Sequence, residues 1–141
     1  MTTPLSPPPS LDPVLFDTRE WPVVYGRFPE LDEPERVDRI LGSLDRLLDH
    51  QQRFVMVWIP PRHDHDDEPH EDEKRSVVWL KQRKDMLRRF CAGYVYETAD
   101  PTLQALLEGR LQTVRKLYGF PMVVVSDRDS ARQQAQAMLA C

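Results

Sequence analysis

Three of the chain's four histidines, His63, His65 and His70, fall in one short stretch, HDHDDEPHEDEKR, together with seven carboxylates. An H-x-H pair with a third imidazole nearby suits zinc, nickel or copper, all of which accept imidazole nitrogen. A specific metal site also needs ligands held on rigid elements, with outer hydrogen-bond partners that fix their orientation. Here the candidate ligands lie between Pro60-Pro61 and a helical pattern, with no apolar residue to anchor them. The favoured expectation is therefore a mobile, acidic, His-rich loop over residues 61–74, with no resident cofactor. Metal binding through His63, His65 and His70 is the alternative.

The charge order after that stretch points to different chemistry. Asp64, Asp66, Asp67, Glu68, Glu71, Asp72 and Glu73 give way to Lys74, Arg75, Lys81, Arg83, Lys84, Arg88 and Arg89, with only Asp85 against them. Acidic groups before a helix and basic groups toward its end both complement the helix dipole. On a wheel of about 100° per residue, Trp79, Leu80, Met86, Leu87 and Phe90 share one face of a helix expected from about Arg75 to Arg89. Lys81, Lys84, Arg88 and Arg89 gather on the other, which makes them the candidate partner-binding residues for an acidic protein surface. Arg83 falls near the middle of the apolar face, and a buried guanidinium requires a partner. It is expected either to pair with a carboxylate or to meet an anion. Val77 and Val78 fall outside the apolar face, and their exposure would mark a dimer or partner surface.

No catalytic constellation accompanies these residues. The five glycines are scattered rather than grouped into a phosphate loop, and neither GxSxG nor HExxH occurs. Cys91 has no base or cation placed by spacing and reads as a packed thiol. The chain is not expected to be an enzyme. A small-ligand or enzymatic α/β domain, with a pocket at the carboxyl ends of its strands and Arg83 or Cys91 inside, is the further alternative.

The elements that must position these groups are legible from periodicity. Residues 1–13 are rich in Pro and Ser and read as a flexible lead-in, leaving a single domain over 14–141. VLFDT and PVVYGRF are rich in β-formers and suggest a hairpin or two successive strands. Pro34 suits a first helical position after Asp32 and Glu33. The stripe Val37, Ile40, Leu41, Leu44, Leu47, Leu48 then steps at helical intervals. FVMVWI is apolar on both faces, as a central strand covered on both sides should be. CAGYVYET reads as a further strand. Asp100-Pro101 starts a helix bearing Leu103, Leu106, Leu107, Leu111, Val114 and Leu117, which Gly119 ends. MVVV is a short buried strand, and SDRDSARQQAQAML closes as a helix with Ala131, Ala135, Met138 and Leu139 inward. Alternation of strands with helix-length crossovers predicts a mostly parallel sheet, hence one small α/β domain with about four helices.

In this order of elements the chain resembles the STAS, or SpoIIAA-like, fold of anti-sigma-factor antagonists and related bacterial proteins. PVVYGRF resembles an early strand of that fold, VDRILGSLDRLLD the helix after it and FVMVWIP the central strand. FPMVVVSDRDSARQQAQAML resembles its final strand, acidic turn and terminal helix. The likeness covers roughly residues 14–139 in organisation. It implies a non-enzymatic interaction module of bacterial regulation whose working surface lies around the second helix. The family's antagonists carry a phosphorylatable Ser or Thr in an Asp-Ser-Ser/Thr-Gly type turn after the central strand. Pro60-Pro61 and the acidic stretch occupy that place here. Ser76, the one hydroxyl near the helix start, lacks the matching neighbours, so no phospho-switch carries over.

The formal charge of −4 gives no general reason to expect nucleic-acid binding. No apolar run approaches the roughly 20 residues that cross a bilayer, and the opening residues lack the basic and apolar segments of a signal peptide. With two cysteines, no CxxC and no asparagine for glycosylation, a cytoplasmic protein is expected. Its partner is expected to be a protein with an acidic surface rather than nucleic acid or membrane, and a homodimer is the other arrangement considered.

Overall fold

The computed structural model describes residues 7–60 and 70–140. Phe16–Asp17 (β1) and Val23–Arg27 (β2) form an antiparallel pair, with Phe16 opposite Gly26. The chain then alternates: helix Arg36–Asp49 (α1), strand Phe54–Ile59 (β3), helix His70–Phe90 (α2), strand Cys91–Glu97 (β4), helix Pro101–Tyr118 (α3), strand Met122–Val125 (β5) and helix Arg128–Ala140 (α4). The sheet order is β1-β2-β3-β4-β5, and β2 through β5 are parallel, with Tyr25, Val57, Val95 and Val123 in register across it. This is the expected α/β fold.

Strand order explains where the helices go. Parallel strands joined by a crossover are connected in the right-handed sense almost without exception. When each new strand is added on the same side of the last, that handedness puts every crossover helix on one face. Residues of α1, α2 and α3 (Leu44, Leu47, Leu48, Trp79, Leu87, Leu111) accordingly share a core with Val24, Phe54, Met56, Trp58, Tyr94 and Met122. The opposite face, made by Val23, Tyr25, Val55, Val57 and Val95, is covered by α4 through Ala131, Ala135 and Met138. Each fully buried Val, Leu or Met is worth about 1.5–3 kcal/mol relative to exposure, and β3, lying between both layers, collects the most of it.

Several boundaries differ from those expected, each for a local reason. Within the lead-in, Leu11 packs on the core, and Asp12 binds Arg39 Nε at 2.8 Å and accepts from the Val14 N–H. Residues 1–6 of the Pro-rich lead-in lie outside the described residues. Helix α1 begins at Arg36, not at Pro34, after Glu35 in a left-handed conformation. Glu33, expected to lead into the first turn, instead holds Arg27 in a two-bonded clamp at 2.7 and 2.9 Å and accepts from the Glu30 N–H. Helix α2 starts at His70, a full turn before Arg75. The acidic residues Glu71, Asp72 and Glu73 therefore sit in its first turn, where the dipole favours them, rather than in a loop. At the end of α3, Gly119 takes a φ of 77° and donates to the Arg115 carbonyl, a left-handed cap that favours glycine. The Leu117 side chain lies outside the described set.

Candidate functional site

Helix α2 carries the patterned charge, so its seating decides what the charge can reach. At 21 residues it is about 31 Å long. Its inner face buries Trp79 and Leu87, with Leu80, Met86 and Phe90 half-buried beside them. One flank is tied to α1 by a ladder of polar contacts. Arg36 Nη1 meets Asp72 at 3.1 Å, Arg75 pairs with Asp38, and Trp79 Nε1 donates to Asp45 Oδ1 at 2.9 Å.

Arg83 completes this ladder. Its guanidinium pairs with the same Asp45 and lies 4.9 Å from the centre of the Trp79 ring. The partner demanded by an arginine on an apolar face is therefore a carboxylate of α1, with an aromatic ring beneath it. Beside the pair runs an open groove of about 460 Å³ between α1 and α2, lined by Leu48, Asp49, Gln82 and Met86 as well as the pair itself. Because Asp45 already satisfies Arg83, an anion entering the groove would have to compete with it.

The four expected partner-binding residues do not form one uniform patch. Lys81, Arg88 and Arg89 are exposed, Lys84 is half-buried, and Arg89 lies 5.2 Å over the Phe90 ring. Arg88 runs against Gly119, where a Cβ would meet its Nε at 2.7 Å, so it also closes the seam between α2 and α3. Lys81 and Lys84 make no ion pair among the described residues. Between Lys74 and Lys81, Val77 and Val78 stand 49% and 47% exposed. Ser76 donates its hydroxyl to the Asp72 carbonyl at 3.0 Å, within its own helix.

The other candidates are dispersed. His63 and His65 lie outside the described residues, and His70 is exposed at the start of α2. Among the described residues no three His, Cys, Asp or Glu side chains gather as a metal group. Cys91 is buried in β4, and that burial pushes its thiol up to about 12, so no nucleophilic thiolate forms at neutral pH. Among the described residues no helix is long and apolar enough to cross a membrane.

One further concavity, of about 570 Å³, opens at the free edge of β5, where Val124 and Val125 meet Gln104 and Glu108 of α3 and Ser130 and Gln134 of α4. Its lining holds no His, Cys or Lys to act as base or nucleophile, and Glu108 faces Arg115 at 3.4 Å. Arg115 also donates to the outward Met122 carbonyl at 2.9 Å, which blunts the strand edge. This cleft joins residues distant in sequence, and no local motif announced it. The same holds for Asp45, whose only sequence signal was its place at the margin of the α1 apolar stripe. No family model matches the chain, and no curated protein or solved structure matches it.

Proposed function

We propose that this chain is a non-enzymatic, STAS-like interaction module that receives an acidic surface of a regulatory protein partner on the outer face of α2. The observation that carries the reading is the exposed pair Val77 and Val78, set among Lys74, Lys81 and Lys84. Two adjacent β-branched side chains on the solvent face of a helix gain nothing for the isolated domain. In an interface they supply the desolvated centre, and the surrounding cations supply steering and register. Lys81, Lys84, Arg88 and Arg89 are the proposed contact residues, with Arg88 also serving the α2–α3 seam. The ladder from α1 holds the face in place before a partner arrives, which reduces the ordering cost of binding.

The β5 cleft favours a second reading, a small-ligand site at the carboxyl ends of the strands. Ser126, Ser130, Gln104 and Gln134 supply its polar groups, and its one carboxylate, Glu108, faces Arg115.

The test is affinity capture from the native cell's lysate with wild type and with a Lys81→Glu/Lys84→Glu variant, each with and without chelator. Capture of one partner by wild type, lost on charge reversal and indifferent to chelator, is the expected result. Retention by the variant would overturn the docking face. Retention that depends on metal would move the function to His63, His65 and His70.

A further inference from the structure

Helix α2 is asymmetric across its width. Its ion pairs through Asp72, Arg75 and Arg83 all go to α1. At about 100° per residue, Val77, Leu80 and Lys84 lie together on the opposite flank, toward α3. Helix α3 is asymmetric in the complementary sense. Pro101, Gln104 and Glu108 turn toward the β5 cleft, so Leu103, Leu106 and Arg110 lie on the flank toward α2. Neither flank is covered: Val77 is 49% and Leu106 47% exposed, and Leu80 and Leu103 are half-buried. Of the α3 apolar residues whose side chains are described, only Leu111 is buried. The two helices are neighbours over the same sheet face and approach each other where Arg88 meets Gly119.

The charge along this shoulder is predominantly positive. Lys81, Lys84 and Arg110 make no ion pair among the described residues. Asp85 is the one carboxylate on the outward face of this part of α2. An apolar strip bordered by unpaired cations, between two helices that both run antiparallel to the strands, has the chemistry of a helix-accepting surface. We infer that the α2–α3 shoulder receives an amphipathic helix of a protein partner, with an apolar stripe seated on Val77, Leu80, Leu103 and Leu106 and carboxylates meeting Lys81, Lys84 and Arg110. This inference rests on the proposed docking role of α2, adds α3 to the surface and specifies the partner element. An extended peptide is a poorer fit on this side of the sheet, where the backbone edge it would need is β5 and Arg115 already occupies the Met122 carbonyl.

The probe is a designed peptide of about five helical turns, with Leu at every third and fourth position and Glu elsewhere. A scrambled peptide of the same composition has no stripe. Both are titrated into the full chain, with methyl chemical shifts of the valines and leucines and peptide circular dichroism as readouts. The striped peptide is expected to become helical, to shift Val77 and Leu106 but not Val123, and to bind about tenfold more tightly than the scramble. Leu106→Gln, an exposed position whose melting temperature should not move, is expected to weaken the striped peptide about tenfold, as is Lys84→Glu.

Equal binding of the two peptides, sensitive to Lys84→Glu but not to Leu106→Gln, would overturn the helix assignment and leave the basic docking face standing. Shifts confined to other surfaces, or no binding by either peptide, would overturn this inference, while the lysate experiment still decides the broader reading. Tighter binding to vesicles of anionic phospholipid than to the striped peptide would replace the protein partner with a membrane surface.

Discussion

Replacing Gly93 by alanine tests the packing that holds α4 on the sheet. A Cβ at this position would lie 2.3 Å from the Met138 sulfur, 3.0 Å from its terminal methyl and 3.0 Å from the Pro121 carbonyl oxygen. Comfortable separations between such atoms are about 3.5–4.0 Å, so Met138 must move by about 1 Å, and it is buried with little room to do so. Alanine in a strand is otherwise worth about 0.5–1 kcal/mol over glycine, while overpacking costs about 1–3 kcal/mol. The expected net loss for Gly93→Ala is about 1–2 kcal/mol. Met138→Ala alone should cost about 2–5 kcal/mol through the cavity it leaves. In the double variant the new methyl enters that cavity, and the combined loss should fall short of the sum by about 1 kcal/mol or more. Part of the clash persists, since the Pro121 carbonyl does not retreat with Met138. Urea denaturation of the four proteins, read as midpoints at a common slope, measures this cycle. Losses that add within about 0.5 kcal/mol, or a neutral Gly93→Ala, would refute the stated contact between β4 and α4.

Two further predictions concern protons and thiols. The Arg27 guanidinium, aided by the Glu30 N–H, holds the Glu33 carboxyl down to about 2, against an ordinary value of 4.5. A depressed folded-state value means the clamp's stabilisation is complete above about pH 4.5 and is lost as pH falls toward about 2. The stability difference between wild type and Glu33→Gln should therefore shrink across that window, and a difference that grows on acidification would reverse the assignment. In a Cys141→Ser background, Cys91 should react with a thiol reagent only at the rate of unfolding, because burial both encloses it and raises its thiol to about 12. Rapid labelling of the native protein at neutral pH would contradict that.

What could be read from sequence was whatever each element carries within itself. The stripe from Val37 to Leu48 announces α1, the doubly apolar FVMVWI announces the central strand, and the Asp100-Pro101 cap announces α3, whose Asp100 accepts from the Thr102 N–H at 2.9 Å. The wheel also showed that Arg83 requires a partner, because its place on an apolar face is a local fact. That the partner is Asp45, 38 positions away, depends on how α1 and α2 lie side by side. The starts of α1 and α2 were displaced for the same kind of reason. Glu33 was drawn off to Arg27, and Asp72, pairing with Arg36, favours helix where composition alone suggested loop. Leu106 shows the limit most clearly. Its spacing belongs to the buried stripe of α3, yet it stands 47% exposed, because it lies on the flank toward α2, and the two helices do not close over it.

The one-sided placement of the crossover helices also bears on how the chain is made. Strands β2 to β5 each receive cover on one face from the helix threaded between them, so that layer can grow as synthesis proceeds. The other face has no such running supply. Val23, Val55, Val57 and Val95 all wait for Ala131, Ala135 and Met138, and α4 follows in sequence every strand it covers. A nascent chain that has completed β5 but not α4 therefore carries a valine-rich sheet surface open to water. During that interval it is a natural client for a chaperone that binds apolar β-surface, and a chain interrupted there would be a prime substrate for degradation.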